Sequence, residues 1–180
     1  MACDLAAGRS LPCKDGLGGI KEVLWCVLDD VTYGAISAGA VADITSTTTF
    51  YRWVLTRNSG SLQQNIVSSI ENGTVYYEQV LTIQTPVLDA AVSAELANVN
   101  KNRLSIVVRD VNDNYHIMGY DCGAEVTGGT IGTGTAKGDL NGYNITFTAE
   151  EKLPAPFAPD LSDSTVVTGL SGTVTITPSY

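Results

Sequence analysis

At 180 residues, 44% hydrophobic and 16% charged, the chain is long enough for one packed domain and too apolar for a disordered one. Nineteen acidic residues against ten basic give a net charge of −9 and no basic run, which excludes the cationic surface that nucleic-acid binders use to displace counterions. No stretch reaches the roughly 18 consecutive apolar residues of a membrane helix. The start, Met1-Ala2-Cys3-Asp4, also lacks the basic and then apolar segments of a signal peptide, so synthesis in the cytoplasm is expected.

Residues 1–18 are glycine-rich, punctuated by Pro12, and read as an N-terminal arm. Ile20 to Leu28 is an apolar run that reads as the first strand, ended by Asp29-Asp30. Residues 32–50 are small and polar, with the run Ser46-Thr47-Thr48-Thr49, and suggest a long loop or weak edge. Phe50 to Leu55 suggests a second strand. Gln63 to Ile70 and Thr74 to Gln84 flank Glu71-Asn72-Gly73, and Asn-Gly predicts a hairpin with a type I′ turn, because both central residues of that turn need positive φ.

The spacing predicts one helix, over 86–100. Leu88, Val92, Leu96 and Val99 form a single apolar stripe, and Pro86 suits a first helical turn where its missing donor is not needed. Such a helix should pack one face against a sheet. Leu104, Ile106 and Val108 then alternate toward the turn Asp110-Val111-Asn112-Asp113-Asn114, and the chain returns through Tyr115, Ile117 and Met118. A glycine-rich segment follows, with Gly123, Gly128, Gly129, Gly132, Gly134, Gly138 and Gly142, and its 128–142 stretch suggests closely approaching backbones or a flexible β-loop. Tyr143 to Thr148 alternates strictly and predicts a strand. The alternating prolines of 153–159 break regular structure, and 165–168 and 173–177 suggest two short strands in a tail that spans 153–180. The fold class expected is therefore mainly β: an antiparallel sandwich or barrel over 19–152 with one principal flanking α-helix and extended arms.

No motif carries chemistry. Asp110, Asn112 and Asn114 imitate the first oxygens of a calcium loop and Asp121 falls at its twelfth position, but Tyr115 replaces the glycine that such a loop needs at its sixth. Asx residues also suit a tight turn, and that reading is preferred. The four cysteines, Cys3, Cys13, Cys26 and Cys122, lack paired zinc-ligand spacing, and Cys26 sits in an apolar run as a buried thiol would. His116 is the only histidine, on a strand rather than beside a nucleophile motif. Glu150 and Glu151 are adjacent, so they point to opposite faces of a strand and read as its solvated end. No catalytic, cofactor or metal residue is expected, and no enzyme.

The segment Tyr76 to Thr85, the helix near Ala90 and the run Gly138 to Lys152 together resemble virion structural proteins of tailed bacteriophages, tail tube proteins above all. The resemblance covers residues 60–157. It implies a β-sandwich or barrel with a flanking helix, and copies assembled into stacked rings, commonly hexameric. Arms would join one ring to the next and other tail proteins would be partners. DNA would pass without specific binding, and the mature protein would reside in the virion. A tail terminator, neck or baseplate ring protein fits the same resemblance. A carbohydrate-binding surface module is a separate reading, resting on Tyr51, Trp53, Tyr76 and Tyr77 as an aromatic platform.

Overall fold

The computed structural model describes residues 14, 16–46, 49–159, 161 and 175–177. The expected arm therefore lies outside the described residues except for Lys14 and 16–18, as does the strand expected at 165–168. Among the described residues the protein is mainly β with one α-helix, and none of its sheets closes into a barrel. In chain order, β1 is Ile20–Val27, followed by a 3-10 turn at Leu28–Asp30. The short strands β2 (Val31–Tyr33), β3 (Ile36–Ser37), β4 (Ala40–Val41) and β5 (Ile44–Ser46) lead to β6 (Thr49–Val54). Next come β7 (Gly60–Ser69), β8 (Thr74–Pro86) and α1 (Ala90–Val99). They precede β9 (Leu104–Asp110), β10 (Tyr115–Met118), β11 (Glu125–Gly132) and β12 (Gly142–Glu151). The last two strands are β13 (Phe157–Ala158) and β14 (Thr175–Thr177).

Three sheets form. The first runs β14-β6-β1-β9-β10-β13-β4-β3, the second β11-β12-β8-β7, and the third pairs β2 with β5. Only the β13–β4 and β14–β6 pairings are parallel. The first sheet is covered on both faces, which is why β1 and β9 read as continuous apolar runs instead of alternating ones. On one face Val23, Trp25, Trp53, Ile106 and Val108 meet Leu81, Ile83, Tyr143, Ile145 and Phe147 of the second sheet, together with Leu96 and Val99 of α1. On the other, Leu24, Cys26, Phe50, Val107 and Ile117 pack under Val41 and Ile44, with Val31 and Tyr33 of the small hairpin alongside. The 32–50 segment is therefore not the long loop its composition suggests. It is a cover of two- and three-residue strands, too short to show a period, fastened by the Tyr33 hydroxyl to Ser105 Oγ and by Tyr120, which stacks on the Tyr33 ring at 5.2 Å.

The helix also starts later than the sequence suggests. Pro86 closes β8, where it pairs with Gly142 across the sheet. Asp89 is the true N-cap, its carboxylate accepting from the amides of Ala91 and Val92. Val87 makes the corner between strand and helix with φ 70°, a left-handed conformation costly for a β-branched residue. The stripe itself stands as expected: Leu96 and Val99 are buried, while Leu88 and Val92 pack at the edge of the same core.

The Asn72-Gly73 turn is the tip of a hairpin, but the loop is four residues, because Ser69 pairs with Thr74. Gly73 alone of the two has positive φ, 63°, so this is a longer loop and not a type I′ turn. At the glycine-rich end, a β-carbon on Gly142 would collide with the Thr85 carbonyl and one on Gly129 would stand 2.9 Å from the Asn144 carbonyl. Close backbone approach therefore accounts for these two glycines. The Pro-rich segment does not run free. Phe157–Ala158 pairs with β10 and β4, Ala155 is buried, and its amide donates to Gln64 Oε1 at 2.8 Å.

Candidate functional site

The second sheet shares its core-facing side with the first, and its other side faces out. From edge to edge the outward residues are Ser61, Gln63 and Asn65 on β7, and Glu78, Val80, Thr82 and Gln84 on β8. They continue as Asn144, Thr146, Thr148 and Glu150 on β12 and Glu125 and Thr130 on β11. The register aligns them in rows, such as Ser61-Thr82-Thr146 and Gln84-Asn144-Thr130. Neighbouring side chains satisfy one another: Asn65 donates to Glu78 at 3.1 Å, and the Thr127 and Thr148 hydroxyls lie 2.8 Å apart. The four strands contain glutamates at 78, 125, 150 and 151 and not one lysine or arginine. This surface can hydrogen-bond water and cannot hold an anion electrostatically.

Both edges of the sheet are open among the described residues. β7 pairs only with β8 and β11 only with β12, so each presents unpaired backbone groups on its outer side. Beyond the Glu151–Tyr77 pair, β7 and β8 continue without β12 as a two-stranded ribbon. Val67, Ile70, Val75 and Tyr76 are exposed there, as is Ile66 level with that pair. An isolated ribbon is marginal in water, so a projecting apolar one is suited to contact with another surface.

The residues singled out as chemical candidates are dispersed. Asp110 turns its carboxylate to its own loop, accepting from the Asn114 amide at 2.8 Å and from Asn114 Nδ2 at 3.0 Å. His116 lies 3.6 Å from Asp110 and against the Phe157 ring. Partial burial pushes the Asp110 carboxyl up, but the bonds from Asn114 and His116 outweigh it and hold the group below its ordinary value. Asn112 exchanges hydrogen bonds with Leu17, and Asp113 pairs with Lys21 and Arg109. The loop's oxygens are thus engaged by protein donors. Cys26 is buried, its thiol pushed up to about 12 by desolvation and by Asp30. Cys122 is exposed, and Cys3 and Cys13 lie outside the described residues.

One cluster was invisible in the sequence. Asp121, Cys122 and Glu151 bring their ligand atoms within 4.8 Å of one another. Glu151 is not the solvated strand end that its neighbour Glu150 is. It is buried, and Oε1 accepts from the amides of Asp121 at 3.0 Å and Cys122 at 2.9 Å. One strand register away, Gln79 Oε1 accepts from the Gly119 amide at 3.2 Å. Together these two side chains clamp the loop after β10 onto the second sheet, which explains why a carboxylate is retained in the interior. The four aromatic residues do not make one platform. Trp53 is buried 4.5 Å from Trp25, and Tyr76 and Tyr77 are adjacent on β8 and so face opposite ways.

Comparison with known protein families, curated proteins and solved structures finds no match for this chain.

Proposed function

We propose that this chain is a virion structural protein whose copies associate side by side into stacked rings of a bacteriophage tail, with the tube favoured. The second sheet forms the wall of a conduit through which DNA passes without specific binding. The observation that supports this reading is a four-stranded antiparallel sheet, open at both edges among the described residues, whose outer face bears hydroxyl and amide side chains with Glu78, Glu125 and Glu150 as its charges, and with no cation in any of its strands.

The strand count matters. In the order β11-β12-β8-β7 every neighbour is antiparallel, so the two edge strands run in opposite directions. Laying β7 of one copy beside β11 of the next continues the alternation without a break. Such a contact is head-to-tail, and head-to-tail contacts close into rings when the rotation permits. Six copies is the number that the resemblance to tube proteins suggests. A lumen lined by Thr, Ser, Asn and Gln, with Glu78, Glu125 and Glu150 as its charges, lets phosphate slide because no cation there neutralises it. The projecting β7–β8 ribbon offers apolar contact above or below the ring plane. The reading makes the protein a component of the virion, made in the host cytoplasm, with other tail proteins as partners and no enzymatic role.

Electron microscopy of the purified protein tests it. Tubes or stacked rings with a central channel are the expected result. Single rings that never stack favour a terminator, neck or baseplate position instead. Monomers at every concentration overturn the reading.

A further inference from the structure

The core of the second sheet stops one strand short of its edge. Ile131 of β11 sits on the core-facing side, opposite the fully buried Tyr143, yet is 64% exposed. Between β11 and the C-terminal half of α1 runs a groove of about 330 Å³, whose apolar lining includes Leu96, Val126, Ile131 and Ile145. Gly129, which pairs with the core-facing Ile145, places no side chain over it. At the opposite edge the converse holds. Leu62 and Ile66 of β7 share the core-facing side, since both pair with inward residues of β8, but only Leu62 reaches the core and Ile66 is 70% exposed. Among the described residues, one edge thus has an apolar hollow without a filling, and the other an apolar side chain without a cover.

We infer that the groove between α1 and β11 receives Ile66 from β7 of a second copy. The inference rests on the side-by-side association proposed above and names the contact that locks it. An open strand edge selects a strand as its occupant, because only another strand satisfies its row of unpaired amides and carbonyls. β7 supplies ten residues and β11 eight, and full antiparallel overlap runs Ile66 against the Val126–Gly129 stretch. Pairing in the same face parity puts Ile66 on the groove side and keeps Ser61, Gln63 and Asn65 in line with the polar outer face. Neither edge carries a lysine or arginine, and Glu125 is the only charge on the two strands, so no like-charge pair opposes the contact.

The test uses the full chain with Ile66→Asp and, separately, Ile131→Asp. Both positions are exposed, so each variant should show the circular dichroism and melting temperature of the wild type. Sedimentation velocity is run at concentrations where the wild type assembles. Each single variant should remain monomeric, its association weakened on the order of 30-fold or more, as for loss of a central interface anchor. A 1:1 mixture of the two should give dimers and nothing larger. The Ile131→Asp copy still offers a native Ile66 to the native groove of the Ile66→Asp copy, whereas the reverse junction sets two aspartates together. If the wild type assembles and the single variants do so equally well, or if the mixture stays monomeric, this contact is wrong and the ring reading stands. If the wild type itself never assembles, the ring reading falls and takes this contact with it.

Discussion

The Tyr143 hydroxyl and the Asp89 backbone hold each other twice. The hydroxyl accepts from the Asp89 amide at 3.1 Å and donates to the Asp89 carbonyl at 2.8 Å, with Ser93 Oγ a third neighbour at 2.6 Å. Asp89 is the N-cap of α1 and Tyr143 is a fully buried residue of β12, so this pair fixes where α1 sits on the second sheet. Tyr143→Phe keeps the ring and removes every one of these bonds. A loss of about 1–3 kcal/mol in chemical denaturation is expected, because the Asp89 amide loses its acceptor, while the Asp89 carbonyl keeps the Ser93 amide as donor. An unchanged denaturation midpoint would show that water replaces the hydroxyl at no cost.

Val87 turns the chain from β8 to α1 at φ 70° and is 69% exposed. Its amide donates to the Asn141 carbonyl at 2.6 Å, so the corner is held in place although its residue type is poorly suited to it. Val87→Asn places there a side chain that tolerates the left-handed region, and should raise stability by about 1 kcal/mol. A thermal melt reads this as a higher Tm; a lower one would mean that the valine makes contacts worth more than its strain.

Asp110 gives a pH dependence with a definite sign. Its folded carboxyl is held below the ordinary value near 3.8, chiefly by Asn114. In the acid range the folded state therefore binds fewer protons than the unfolded one, and stability rises with pH. The contribution is complete above about pH 4 and is lost as pH falls through the depressed folded value. Asp110→Asn should be less stable than the wild type at pH 6, with the difference shrinking by pH 2–3. A difference independent of pH would assign the effect to packing.

Thiol chemistry should separate the two described cysteines. Cys26 is buried with its thiol raised to about 12, so at neutral pH it is protonated and shielded. Cys122 is exposed, though burial of its surroundings and the Glu151 charge raise its thiol too. With Cys3 and Cys13 replaced by Ser, a colorimetric thiol reagent should label Cys122 slowly in the folded protein. Cys26 should react only after denaturant is added. Fast labelling of Cys26 under native conditions would mean that the β2–β5 cover opens readily.

What the sequence revealed and what it hid follows the range of the interactions. The β7–β8 hairpin and the Leu88-Val92-Leu96-Val99 stripe are local patterns, and both were legible. The helix start was misread because Pro86 suits a strand end as well as a first helical turn, while the deciding cap, Asp89, is recognisable only when its carboxylate is seen on the amides of Ala91 and Val92. The β2–β5 cover escaped notice because strands of two or three residues have no period to detect. The Glu151 clamp joins residues some thirty positions apart, and the open edges of β7 and β11 follow from a strand order that no local signal encodes. Mainly β with one helix was therefore readable, and the open-edged surface on which the proposed function rests was not.

The parallel pairing of β14 with β6 also sets an order of events during synthesis. Most of the chain separates the two strands, so β6 emerges from the ribosome long before its outer neighbour exists. Until Thr175–Thr177 has been translated, Phe50 and Trp53 belong to an unprotected sheet margin on a nascent chain. That interval is when a chaperone would have most to shield, and a stalled or truncated product would carry the same bare margin into the cell.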